Sequence, residues 1–207
     1  MPTLTQARTW YPADAVHGFD HIERVYRMAL KLAALEGANA EIVGAAALLH
    51  DAVAAHPTEG ARAEHHHASA EFAAQILSAE NWQPEQIAAV QHCIRAHRFR
   101  ATENPQTLEA KILFDADKLD VIGATGAART IAYAVQAGQP VYAPPSARFL
   151  ATGEKEPGEP HSAYHEYLFK LRHIAGKLHT PAARELAQKR HQLLQNFFEA
   201  LAEEQSV

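Results

Sequence analysis

Apolar residues recur along this chain at three- and four-residue spacing, in alanine-rich stretches separated by short polar or proline-marked breaks. That period is helical. It predicts helices over about 18–36, 39–54, 66–79, 84–98, 106–120, 123–137, 161–177 and 180–204. No period-2 run enriched in β-branched residues competes with them, so the predicted class is all-α: one helical bundle. The punctuation agrees. Gly37 suits a helix C-cap, Pro84 suits a first turn, and Thr180-Pro181 reads as an N-cap followed by proline at the first helical position. The exception is 138–160, which holds five prolines and three glycines. A loop of that length in a compact domain is usually functional or irregular. An active-site cover and a mobile excursion are both open for it.

Polar residues interrupt the apolar stripes at a few positions. The run Ile42 to Leu49 closes on His50-Asp51. His21 lies in line with Val25, Met28 and Leu32. Asp117 lies in line with Ala110, Leu113, Phe114 and Val121. Asp115 shares a second apolar line with Ile112, Leu119 and Ile122, so periodicity leaves both aspartates open. A histidine and an aspartate at the inner end of a buried helix are costly unless paired. A divalent metal is the simplest partner, because it accepts imidazole nitrogen and carboxylate oxygen together. Neighbouring helix positions point about 100° apart, so both side chains of one dipeptide reach a common ion.

Composition narrows the classes. The chain has 207 residues, 47% hydrophobic and 21% charged, as in ordinary globular proteins. Its net charge of −5 argues against nucleic acid as an electrostatically driven partner. One cysteine, Cys93, excludes an intramolecular disulfide and reads as a small core hydrophobe. The N-terminus has no signal-peptide pattern, and no run approaches the ~20 apolar residues that span a bilayer. The expected compartment is the cytoplasm. Fourteen histidines are many for this length and hint at a metal site.

The order His…His-Asp…Asp on successive helices resembles the HD-domain metal-dependent phosphohydrolase superfamily. The resemblance takes in His21-Ile22-Glu23-Arg24-Val25, Leu48-Leu49-His50-Asp51, Glu109-Ala110-Lys111-Ile112, and Asp115 to Asp120 followed by Ile122-Gly123-Ala124. It extends to Tyr164–Leu171 and to the terminal helix with Arg190-His191, so it spans roughly 15–205 of a single domain 1–207. It is closest in character to the small stand-alone bacterial branch. It implies His21, His50, Asp51 and Asp117 as metal ligands, and it selects Asp117 over Asp115. It implies an enzyme that cleaves a phosphoester or phosphoanhydride of a small metabolite, a nucleotide above all, with pyrophosphate release from a triphosphate as the favoured reaction. A non-catalytic nucleotide or metal sensor is the alternative. The ligand types suit Mn²⁺, Mg²⁺, Co²⁺, Ni²⁺ or Fe²⁺ better than a structural zinc, which usually recruits cysteine.

Other residues are candidates for substrate. Arg24 lies one turn after His21 and Lys118 follows Asp117; either can hold phosphate, and a salt bridge is the plain alternative for Arg24. Asp51 is a candidate for proton transfer, although a coordinated carboxylate is a poor base. His65, His92 and His97 are candidates for a second metal or for phosphate. Surface placement is an equal reading for His65 and His97 and the better one for His66, His67 and His92. Arg95, Arg98 and Arg100 read first as a solvated helix end and second as a polyphosphate rim. Asp120 reads as structural. Tyr164, Tyr167, Leu168 and Leu171 read as core.

Overall fold

The computed structural model describes residues 1–12, 18–53, 65–98 and 103–205. Among them are ten α-helices and no β-strand: α1 (Leu4–Arg8), α2 (Phe19–Glu36), α3 (Ala40–Leu49), α4 (His65–Ala79), α5 (Pro84–Ala96), α6 (Leu108–Asp120), α7 (Gly123–Gln136), α8 (Ala147–Thr152), α9 (Ala163–Phe169) and α10 (Pro181–Glu204). The all-α class holds. The punctuation acts as expected at Gly37, which is left-handed (φ 73°) and returns its N–H to Ala33. Pro84 opens α5.

The chain forms two compact units. The first is Met1–Asp117 with His179–Ala183; the second is Lys118–Leu178 with Arg184–Val207. In the first, α3 is the central element. Val43 through Leu49 are buried on every side, as an all-round apolar helix must be. Its alanines let α2, α4 and α5 approach closely. Gly44 does the same: a Cβ there would lie 3.2 Å from Met1 Sδ and 3.3 Å from the Tyr26 ring. Leu48 and Leu49 are fully buried, each contributing about 2 kcal/mol of apolar transfer.

Helix α3 stops at Leu49, short of the predicted 54. The backbone leaves the α-helix because its last carbonyls find other donors. His50 Nδ1 donates to Ala47 O (2.9 Å), the Tyr11 hydroxyl donates to Leu48 O (2.8 Å), and Ala52 N reaches back three residues to Leu49 O (3.2 Å). Val53 N then donates to Ser69 Oγ on α4 (3.2 Å).

In the second unit, the predicted helix 161–177 is broken. Helix α9 ends at Phe169, Lys170 leaves helical geometry (φ −126°), and 3₁₀ turns follow at Leu171–His173 and Ala175–Lys177. Leu171 and Ile174 are both buried, and three-residue spacing aligns side chains in a 3₁₀ turn rather than an α-helix. The 138–160 segment carries structure of its own. It contains α8, capped by Ser146 and closed by left-handed Gly153. Glu159 fastens it, accepting from Ser146 N (2.8 Å), Ser146 Oγ (2.7 Å) and Glu156 N (2.7 Å). His165 Nε2 lies 3.0 Å from Glu159 Oε1. Of the tyrosine stripe, Tyr167, Leu168 and Leu171 are buried, and Tyr167 stacks on Phe198 (4.7 Å). No helix among the described residues is long and apolar enough to cross a membrane.

Candidate metal centre

The predicted ligands His21, His50, Asp51 and Asp117 come together in the first unit. His21, on the first turn of α2, is 5% exposed. Its Nε2 lies 3.5 Å from Asp117 Oδ1, and its ring centroid lies 5.7 Å from that of His50. His50 and Asp51 occupy the turn that ends α3, with His50 Nε2 3.7 Å from Asp51 Oδ2. Asp51 Oδ1 faces two further imidazoles: His65 Nε2, from the start of α4, at 3.2 Å, and His97 Nε2, from the end of α5, at 3.5 Å. Asp51 therefore joins two groups that could hold a metal ion, His21–His50–Asp51 and Asp51–His65–His97, the candidate atoms of each lying within 4.8 Å of one another.

Tautomers follow from the backbone. The Nδ1–H of His50 is taken by Ala47 O, and that of His97 by Ile94 O (2.6 Å). A backbone carbonyl of this kind fixes the ring orientation and leaves Nε2 as the unprotonated nitrogen of the neutral ring. Burial pushes the His50 imidazole down to about 4, against the charge of Asp51, so the ring is neutral near pH 7. Burial opposes ionisation of Asp51 as well, but His50, then His65 and His97, hold its carboxyl well below the usual range. His50 Nε2 and Asp51 Oδ1 are both buried and make no well-formed hydrogen bond. Two such atoms are costly in a protein interior unless a cation takes them. Neutral imidazole nitrogen and carboxylate oxygen fit a divalent ion, and Cys93 takes no part: it is buried on α5, its thiol pushed up to about 12 by burial.

The HD domain family model matches residues 18–122, half of the chain, from just before His21 to just past Asp117. The chain belongs to the HD domain family. It is 29% identical over 205 residues to the uncharacterised protein YpgQ of Bacillus subtilis (strain 168), covering 95% of this chain and 90% of that one. The crystal structure of YpgQ in complex with ADP superposes with a TM-score of 0.74 at 28% identity, over 98% of this chain and 97% of that one. A Lactobacillus plantarum structure gives 0.80 at 29% identity, over 100% and 99%. An HD-superfamily hydrolase from Bacillus thuringiensis gives 0.71 at 28%, over 99% and 95%. As an HD protein the chain is a metal-dependent phosphohydrolase whose cofactor is a divalent metal ion.

Asp115, which periodicity could not separate from Asp117, has a different occupation. It is fully buried and accepts from His179 N (2.8 Å), Thr180 N (2.7 Å) and Thr180 Oγ1 (2.7 Å). Burial raises its carboxyl even against those donors. It anchors the segment that leads into α10. Asp120 pairs with Arg129 (2.7 Å), the structural role expected. Lys118 is buried on the last turn of α6, and Arg24 is exposed on α2.

Some expectations need correction. His66 is not a surface residue: it is 5% exposed, its Nδ1 is buried without a hydrogen bond, and its ring packs 4.2 Å from that of His67. Its place on the inner line of α4 with Ser69, Ala70 and Ala73 was legible in principle, but the run His65-His66-His67 hid it. His92 does not join His65 and His97. It lies 2.6 Å from Glu103 Oε1 and accepts from Gln106 N, bracing the entry to α6. Arg95, in the last turn of α5 as its helix-end reading expects, pairs with the same Glu103 (2.7 Å). Arg100 lies outside the described residues. Sequence reading missed Tyr11, whose phenol is held well above its ordinary value by burial and then by the nearby charge of Asp51.

Proposed function

We propose that this chain, acting as one domain in the cytoplasm, hydrolyses a phosphoanhydride or phosphoester of a nucleotide, with His21, His50, Asp51 and Asp117 holding the metal. The observation that carries the ligand set is the pair of buried, unsatisfied atoms His50 Nε2 and Asp51 Oδ1 within a cluster of imidazoles and carboxylates. When bound, a divalent ion supplies Lewis acidity to a phosphate oxygen and lowers the pKa of water. The other roles belong to the chain. Backbone carbonyls of Ala47 and Ile94 orient His50 and His97. His65 and His97, flanking Asp51 Oδ1, are the proposed phosphate contacts on that side. Arg24 and Lys118 are the proposed cations for substrate charge, Arg by bidentate contact and Lys as a point charge. Asp51, shared by both groups, is also the proposed group for proton transfer.

The nucleotide rests on YpgQ, crystallised with ADP and alike along nearly the whole chain. Pyrophosphate release from a triphosphate is the favoured reaction. The test is phosphate and pyrophosphate release from nucleoside mono-, di- and triphosphates with Mn²⁺, Mg²⁺, Co²⁺, Ni²⁺ or no added metal. Metal-dependent pyrophosphate from triphosphates supports the reading. Tight nucleotide binding without turnover under every metal would replace it with a nucleotide sensor.

A further inference from the structure

The turn carrying His50 and Asp51 is held from outside the segment that the HD family model matches. That match starts at residue 18; Tyr11 precedes it. The Tyr11 ring is 8% exposed, in an apolar cluster with Ala7, Phe19, Ile22 and Leu48. Its hydroxyl donates to Leu48 O at 2.8 Å, a fully buried bond. Leu48 is the second-last residue of α3, where carbonyls lose their helical partners. The carbonyls on either side are met locally, Ala47 O by His50 Nδ1 and Leu49 O by Ala52 N. Leu48 O is met by a residue 37 positions away.

The N-terminal segment is itself anchored. Helix α1 has a capping box between Thr3 and Gln6. The Arg8 guanidinium lies over the Phe19 ring at 4.6 Å. Trp10 meets Phe72 of α4 edge-on at 5.6 Å. The phenol is thus presented from a fixed support, and three successive carbonyls at the end of α3 are each satisfied. Without the hydroxyl, Leu48 O is buried with no donor from Tyr11, and the last turn relaxes toward the α-helical path that its sequence favours. That path would redirect both side chains of the His50-Asp51 pair.

We infer that Tyr11 is a positioning residue for the metal centre, its hydroxyl fixing the turn on which His50 and Asp51 stand. The inference rests on the reading of those two residues as metal ligands. Direct hydrogen-bond partners of metal ligands are worth roughly 10- to 100-fold in metal affinity; Tyr11 acts one step further out, through the backbone, so the loss expected for Tyr11→Phe lies toward the lower end of that range. The readout is titration of the full metal-free chain with Co²⁺, followed by visible absorption, beside wild type and Trp10→Leu. Trp10→Leu disturbs the packing of the same segment and spares the hydroxyl. A threefold or greater weakening in Tyr11→Phe that Trp10→Leu does not share supports the inference. A smaller weakening, or an equal one in Trp10→Leu, overturns it. Wild type that binds no Co²⁺ overturns the ligand reading and this inference with it. If Tyr11→Phe does not fold, wild-type amide exchange over residues 4–12 decides. Linkage is reciprocal, so Co²⁺ must slow exchange there; unchanged exchange overturns the coupling.

Discussion

Replacing Asp115 by alanine separates the two aspartates that the helical period could not. The change removes three acceptor contacts at 2.7–2.8 Å and leaves the N–H and hydroxyl of Thr180, which is 2% exposed, without them. Each stranded buried group costs about 1–3 kcal/mol. His179 is half-buried, so water replaces its share. Relief of a buried carboxylate offsets part of the loss. The net is about 3–4 kcal/mol, a large part of the ~5–15 kcal/mol that holds a domain. For a chain of this size that is a fall in Tm of about 6–16 °C. Asp115→Asn keeps the shape and one acceptor oxygen and loses about half as much. Asp117→Ala, at 13% exposure beside His21, shifts Tm by a few degrees at most in metal-free protein. Thermal unfolding of the three variants by circular dichroism, in chelator, is the assay. An Asp115→Ala Tm within 3 °C of wild type, or a larger loss in Asp117→Ala, would falsify the division of labour.

Two further outcomes follow from the same structure. His66→Ala is not silent: removing a 95%-buried ring from α4 opens a cavity and lowers stability by about 1–3 kcal/mol in urea unfolding, while an unchanged midpoint would return His66 to the surface. On the acid side, Glu166 is held down to about 2, its burial outweighed by His161 and Lys170, and Glu159 likewise to about 2, its burial outweighed by Ser146, His165 and Glu156. Between about 2 and the ordinary carboxylate value the unfolded chain binds more protons than the folded one, so stability present above about pH 4.5 is lost as pH falls toward 2. Glu159→Gln should flatten a pH series of melting temperatures in that window; an unaltered acid limb would show that the Glu159 contacts are not held in solution.

The class and most helix positions were legible because a 3.6-residue period survives in sequence wherever one face is buried. The His21, His50-Asp51 and Asp117 positions were visible for the same reason in reverse, as polar residues on apolar lines. Period alone could not part Asp115 from Asp117, because α6 is buried on two faces and each aspartate has an apolar line. The early end of α3 was hidden, since one of the three donors that meet its last carbonyls, the Tyr11 hydroxyl, lies 37 residues away in sequence from Leu48. Helix α8 was missed because six residues carry too little period, although Ser146 and Gly153 mark its ends. His66 was misplaced because three identical residues in a row carry no pattern.

Crystallography of the Mn²⁺-soaked protein, with anomalous scattering at a wavelength where manganese scatters strongly, locates the ion itself. A peak is expected within coordination distance of His21, His50 Nε2, Asp51 and Asp117, absent from crystals of Asp51→Ala. A peak bound elsewhere, or one that survives Asp51→Ala unchanged, would contradict this ligand set.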